Sequence, residues 1–307
     1  MEETTMATLK RILVLPAGKA PDVELTEGQV QQVREMAGQG MPEAQYVLGV
    51  MHYKGHGVDQ DYAAACEWWE KSAAQGKAAA QYNLGVMYEH GRGVPQDYAR
   101  AVEWYRKSAM FGLAVGQKAL GIMYALGRGV PQDYARAREW WEKAAALGNA
   151  QAQYSLGTIY AEGLGVPQDY ARAREWWEKA AVRGMAEAQF RLGVMHYLGQ
   201  GSGEDFRQAF AWWEKAAFRG HARAQYSLGV MYALGRGVSQ DYAKARKWYL
   251  KAAAQGVAQA QCSLGEMYAE GKGVEQDRRA AREWFARASA GGCEKGCGAC
   301  TMPDDEA

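Results

Sequence analysis

One glutamine recurs along this chain at a spacing that never slips: Gln45, Gln81, Gln117, Gln153, Gln189, Gln225 and Gln261, 36 residues apart each time. The residues around it keep the same register. A Leu-Gly pair follows, from Leu48-Gly49 to Leu264-Gly265, then a G-x-G from Gly55 and Gly57 to Gly271 and Gly273. Next come an Asp, from Asp61 to Asp277, a Trp, from Trp68 to Trp284, and a closing Gly, from Gly76 to Gly292. Seven copies without an insertion restrict the chain to a repeat architecture. A unit this short cannot bury its own apolar face and has to stack on its neighbours.

Each unit reads as two helices. In the first copy, helix A covers roughly residues 43–54, with Ala44, Leu48, Met51 and His52 on one face at helical spacing. Gly55 accepts the positive φ that ends it. Helix B follows Asp61, whose carboxylate can accept hydrogen bonds from the free N–H groups of the first turn. Its apolar stripe is Tyr62, Ala65, Trp68/Trp69, Ser72 and Ala73. Glu67 and Lys71 stand four apart in the favourable order, as do Glu103 and Lys107, Glu139 and Lys143, and Glu175 and Lys179, which predicts ion pairs along helix B. Gly49 sits inside a helix, where it costs about 1 kcal/mol relative to Ala. Its presence in every copy predicts a Trp or Tyr of helix B packed into the space. The repeated Gln is expected to bridge backbone groups of neighbouring helices.

The nonapeptide GVPQDYARA occurs verbatim from Gly93, Gly129 and Gly165. In register it is the A-to-B turn: Gly shapes it, Pro95 stiffens it, Asp97 caps helix B, and Tyr98 and Ala101 begin the buried face. The ends of the chain differ from the repeats. Residues 1–22 have no register. Residues 23–42 resemble a lone helix B that caps the stack, residues 43–292 are the seven repeats, and residues 293–307 form a Cys-rich, then acidic, tail.

The unit A-x-A-Q-Y-x-L-G-x-M-Y-x-x-G-x-G-V-x-Q-D-Y-x-x-A-x-x-W-x-x-K-A-A-x-x-G resembles the Sel1-like repeat, a relative of the tetratricopeptide repeat. The resemblance covers residues 43–292. It implies an all-α fold, a right-handed superhelical α-solenoid of helix-turn-helix units, with helix A on the concave side and helix B on the convex side. It also implies a non-enzymatic adaptor or scaffold for protein–protein interaction, of a kind that in bacteria takes part in signalling or host contact. Cysteine-rich bacterial members carry one disulfide per repeat and are linked to penicillin binding. This chain departs from them, since repeats two to six hold no cysteine. Binding of a small ligand or cell-wall fragment, with weak hydrolysis, is therefore the alternative rather than the first expectation.

Other chemistries find little support. With 36 Lys+Arg against 35 Asp+Glu, no general field favours nucleic acid or an anionic membrane. The run Ile12-Leu13-Val14-Leu15 is too short to span a bilayer or to make a signal peptide's apolar region. No P-loop, S-x-x-K, G-x-S-x-G or H-E-x-x-H string occurs, and no cofactor is expected. The odd set Cys66, Cys262, Cys293, Cys297 and Cys300 fits a reducing compartment, so a cytoplasmic protein acting as a monomer is expected. Cys293, Cys297 and Cys300 form C-x-x-x-C-x-x-C, a candidate metal or redox site. Its fourth ligand would have to come from Asp304, Asp305 or Glu306.

Function is then sought where the copies diverge. With Leu48 at the buried centre of helix A, positions 43, 46, 47, 50, 53 and 54 and their equivalents point outward. The candidate partner-binding residues on this face are Tyr46, Val47, Tyr82, Asn83, His90, Lys118, Tyr154, Phe190, Arg191 and Tyr226. Such a mixture suits a peptide or helix with apolar anchors, although some aromatics at position 46 could instead pack on the next repeat. Lys118 and Arg191 together suggest an acidic stretch in the partner.

Overall fold

A computed structural model describes residues 26–292, and within them every regular element is an α-helix. A lone helix, α1 (Glu27–Gly38), comes first. Helix A of the successive repeats is α2 (Pro42–Lys54), α4 (Ala78–His90), α6 (Ala114–Leu126), α8 (Ala150–Glu162), α10 (Ala186–Leu198), α12 (Ala222–Leu234) and α14 (Ala258–Glu270). Helix B is α3 (Tyr62–Ala74), α5 (Tyr98–Met110), α7 (Tyr134–Ala146), α9 (Tyr170–Val182), α11 (Phe206–Phe218), α13 (Tyr242–Ala254) and α15 (Arg278–Ala290). The chain is an all-α repeat solenoid of paired helices. Residues 1–22, the start of segment 23–42 and the cysteine tail 293–307 lie outside the described residues.

Two compact units are present. The first runs to Ile159 and includes Leu164–Val166; the second holds Tyr160–Gly163 and the chain from Pro167 onward. Within the first, α1 opens with a reciprocal cap, in which Thr26 Oγ1 accepts from the Gln29 N–H and Gln29 Oε1 from the Thr26 N–H. Val30, Val33 and Ala37 of α1 close over Ala44, Val47, Leu48 and Met51 of α2. Further along in each unit, helix B packs on the helix A of its own repeat and on the next helix A, as α3 does on α2 and α4 and α11 does on α10 and α12. Ala65, Cys66, Trp69 and Ala73 of α3 thus share a core with Ala80, Leu84 and Met87 of α4. The second unit repeats the plan: Ala209, Trp213, Ala216 and Ala217 meet Ala224, Leu228 and Met231. Each such Leu or Met, fully buried, contributes about 1.5–3 kcal/mol.

The glycine inside helix A explains how closely the pair packs. A Cβ built on Gly49 would lie 2.5 Å from Trp69 Cδ1 and Nε1, and one on Gly121 would lie 2.4 Å from Trp141 Nε1. The indole Nε1 atoms of Trp69, Trp141 and Trp213 donate to the carbonyls of Tyr46, Lys118 and Phe190, each at 3.1 Å. The aromatic one step earlier has a different role. Trp68, Trp104 and Trp140 are half-buried, and the ammoniums of Lys71, Lys107 and Lys143 lie 4.0–4.2 Å from their ring centroids. The expected Glu67–Lys71, Glu103–Lys107, Glu139–Lys143 and Glu175–Lys179 ion pairs do not form. A ring face three residues back competes better for the ammonium than an exposed carboxylate.

The repeated Gln bridges helices as expected. Its Nε2 donates to the carbonyl eight residues earlier, at the end of the preceding helix B; Gln81 reaches Ala73 O at 3.2 Å and Gln225 reaches Ala217 O at 3.2 Å. This adds a second donor to a carbonyl at the helix C-terminus that already accepts from the backbone of the following turn, Gly76 N–H on Ala73 O and Gly220 N–H on Ala217 O. In the turn, Asp97 Oδ1 accepts from the Arg100 N–H, and Gln96 Nε2 donates back to Glu89 O at 2.8 Å. Gly93 has φ +70°, and a Cβ there would stand 2.4 Å from the Tyr62 carbonyl carbon of the preceding repeat. The nonapeptide is therefore also part of the seam between repeats.

Candidate functional site

In repeats one to six, position 46 and its equivalents place a half-buried side chain on helix A; the seventh, Cys262, is buried. In the first unit Tyr46 is half-buried between the two cores that flank α2, beside the Asn83 side chain, and burial raises its pKa. The Tyr82 ring lies 5.7 Å from Tyr105, and burial with the nearby Glu89 raises its pKa. Tyr154 is half-buried in the same register. In the second unit Phe190 lies 6.4 Å from Trp213 and stacks at 4.7 Å on His221, and Tyr226 lies 5.7 Å from Tyr249. Each of these five rings keeps part of its surface open. Tyr82, Phe190 and Tyr226 each rest on a helix B aromatic, Tyr105, Trp213 and Tyr249 in turn, which limits their orientation.

Val47 does not belong to this face. It is 2% exposed, in the core that α1 makes with α2. The helical wheel pointed it outward, but α1 crosses there and covers it. His90 is exposed at the end of α4, its Nδ1 3.0 Å from Val86 O. At the same register position Leu126 in the first unit is 53% exposed, and Leu198 and Leu234 in the second are 56% and 55% exposed.

Charge is arranged in small, local sets. Glu89 Oε2 accepts from the Tyr105 hydroxyl at 2.5 Å, and Glu89 Oε1 lies 3.8 Å from Arg128 Nη1. Lys118, on α6, feels the same Glu89, yet burial pulls its pKa down. Arg191 lies 3.4 Å from Glu187, which also faces His221 Nε2 at 2.8 Å. His221 Nδ1 accepts from the Ala224 N–H, so Nε2 carries the proton donated to Glu187. Those contacts, His221 foremost, hold the Glu187 pKa below the ordinary carboxylate value. Lys118 and Arg191, paired in the sequence reading by charge alone, thus differ: Arg191 is matched by a carboxylate on its own helix.

Two sets of cross-repeat contacts escaped the sequence reading. Glu43 pairs with Lys77 at 3.1 Å as Glu187 does with His221, both 34 residues apart. Arg92 Nη1 donates to the Tyr53 hydroxyl and Arg236 Nη1 to the Tyr197 hydroxyl, 39 residues apart, the spacing of Arg128 and Glu89. The signal lay in comparing copies. Where the earlier position is Tyr or Glu, the later one is Arg. Where it is Ala (Ala125, Ala161, Ala233), the later one is Leu164, Gln200 or Lys272.

Among the described residues no cluster of three or more His, Cys, Asp or Glu could hold a metal, and no helix is long and apolar enough to cross a membrane. Cys293, Cys297 and Cys300 lie outside those residues. The two described cysteines, Cys66 and Cys262, are buried; burial, with Glu70 and Glu67 nearby, pushes the Cys66 thiol up to about 11.

A family model described as Sel1 repeat matches residues 42–77, 78–112, 114–149, 150–184, 186–221, 222–257 and 258–293. The chain is similar to a crystal structure of a protective antigen present in uropathogenic Escherichia coli strains, described as displaying an SLR fold. The two are 35% identical with a TM-score of 0.83, over 95% of this chain and 62% of that one. The chain thus spans under two thirds of that antigen. It is also similar to a Sel1 repeat protein from Oxalobacter formigenes, at 30% identity and TM-score 0.69, over 80% of this chain and 96% of that one. No curated protein matches the sequence.

Proposed function

The chain belongs to the Sel1 repeat family, and from that premise we propose that it is a non-enzymatic scaffold whose helix A faces hold a segment of a partner protein. Membership supports a role in protein–protein interaction in general, and Sel1- and tetratricopeptide-like repeat proteins are generally non-enzymatic scaffolds. One observation carries the finer reading. On the outer face of helix A, half-open rings (Tyr82 in the first unit, Phe190 and Tyr226 in the second) are backed by other aromatics; α10 and α12, which carry Phe190 and Tyr226, end in leucines more than half exposed, as α6 does in the first unit. Fixed, partly open rings beside exposed leucines suit a segment with apolar anchors. Ring orientation is settled before binding, so little side-chain entropy remains to be lost.

The test is affinity purification with the intact chain, followed by titration of each purified candidate. Leu126→Glu and Leu234→Glu alter exposed side chains and should leave the fold intact; each is expected to weaken a true partner at least about tenfold. Val182→Glu, at the 84% exposed end of α9, is the helix B control. Partners that bind the leucine variants normally and lose the control variant would overturn the assignment of the face.

A further inference from the structure

Lys118 breaks the pattern of its register position. One repeat before it stands Tyr82 and one after it Tyr154, and Phe190 and Tyr226 follow in the second unit. Its place is well defined, because its own carbonyl accepts from the Trp141 indole. The side chain is half-buried, and among the described residues its ammonium has neither a hydrogen bond nor an ion pair. Glu89 is the acid whose charge it feels. That carboxylate already takes the Tyr105 hydroxyl on one oxygen and faces Arg128 with the other. Arg191, the other cation among the candidates, has Glu187 beside it. A part-buried ammonium that no carboxylate contacts directly is costly to keep. A tyrosine at this position would carry no such cost.

We propose that Lys118 is the specificity residue of the helix A face, pairing with a single carboxylate, an Asp or Glu side chain of the bound segment, whose neighbours lie on the flanking aromatic positions. This rests on the reading of that face as partner-binding. A monoanion fits the local balance, since Glu89 stands close enough to oppose a doubly charged group. Partial burial makes the pair selective: a segment with Gln in place of the acid leaves the ammonium covered and unmatched.

The experiment is selection of random dodecapeptides displayed on phage against the intact chain. Winning sequences are then titrated by fluorescence polarisation at moderate salt. Expected are winners with an Asp or Glu at a constant distance from an apolar residue. These should bind Lys118→Gln about tenfold or more weakly, while Lys118→Arg retains them. In Lys118→Tyr, the preference should pass to peptides with Gln or an apolar residue at that point. Melting temperatures of the three variants separate lost binding from lost fold. Winners that depend on Leu126 but carry no common acid, and that bind Lys118→Gln as well as wild type, would overturn the inference and leave the proposed function intact. Winners indifferent to Leu126 and Leu234 would overturn both.

Discussion

Replacing Gly121 by Ala sets two effects of opposite sign against each other. Helix propensity alone predicts a gain of about 1 kcal/mol, because Gly is the poorer helix former. The structure predicts a loss. The new methyl would lie 2.4 Å from Trp141 Nε1, 2.5 Å from Cδ1 and 3.0 Å from Cε2. Ordinary contact begins near 3.5 Å, so the indole has to retreat by roughly 1 Å. Trp141 is buried and cannot swing into solvent. Overpacking of this kind costs about 1–3 kcal/mol. The retreat also pulls Nε1 from Lys118 O, now at 3.1 Å, and strands a buried donor at a further cost of about 1–3 kcal/mol. With the propensity gain deducted, the net loss is about 3 kcal/mol. Urea unfolding followed by circular dichroism measures it, and amide exchange in α6 and α7 localises it. Trp141→Leu should be costly by itself but much less so beside Gly121→Ala, with a favourable coupling of about 1–3 kcal/mol. Gly121→Ala as stable as wild type, or a double variant whose costs simply add, would refute the argument.

Three further outcomes follow from other contacts. Gln255 Nε2 donates to Gly220 O and to Gln225 Oε1, at 3.0 and 2.8 Å; Gln255→Leu strands the second acceptor and should cost about 1–2 kcal/mol in urea unfolding. Leu147 holds the equivalent place three repeats earlier, where Gln117 Oε1 is buried without a partner, so Leu147→Gln should cost nothing measurable although it removes a leucine. Glu187 has a depressed pKa, so its contribution is complete at neutral pH and fades as pH falls through that pKa. The stability gap between wild type and Glu187→Gln should shrink along that acid limb; a gap independent of pH would sink the account.

Much of the solenoid was legible because its devices recur. A glycine inside every helix A has few uses other than close approach, and the aromatic seven to eight residues after Asp was the natural occupant. The candidate face was less legible, for reasons that differ by residue. A helical wheel sees one helix, and Val47 is covered by another, α1, from outside the repeat. Lysines along helix B were matched to carboxylates at helical spacing, but a Trp ring lay closer. Lys118 and Arg191 differ through Glu187, four residues before Arg191 on the same helix. That pair could have been read from spacing, whereas the burial of Lys118 could not.

The arginine contacts between successive A–B turns occur at only some junctions. Tyr53 with Arg92, Glu89 with Arg128, and Tyr197 with Arg236 tie repeats one to two, two to three, and five to six. The last junction has Ala233 and Lys272 in those places. In a linear array, nearest-neighbour coupling decides how far a local opening travels. Unzipping from the C-terminal end should therefore cross the seventh repeat easily and slow at the junction held by Arg236. An uneven set of latches makes the chain a graded spring, in which a partner gripping several repeats would draw first on the loosest.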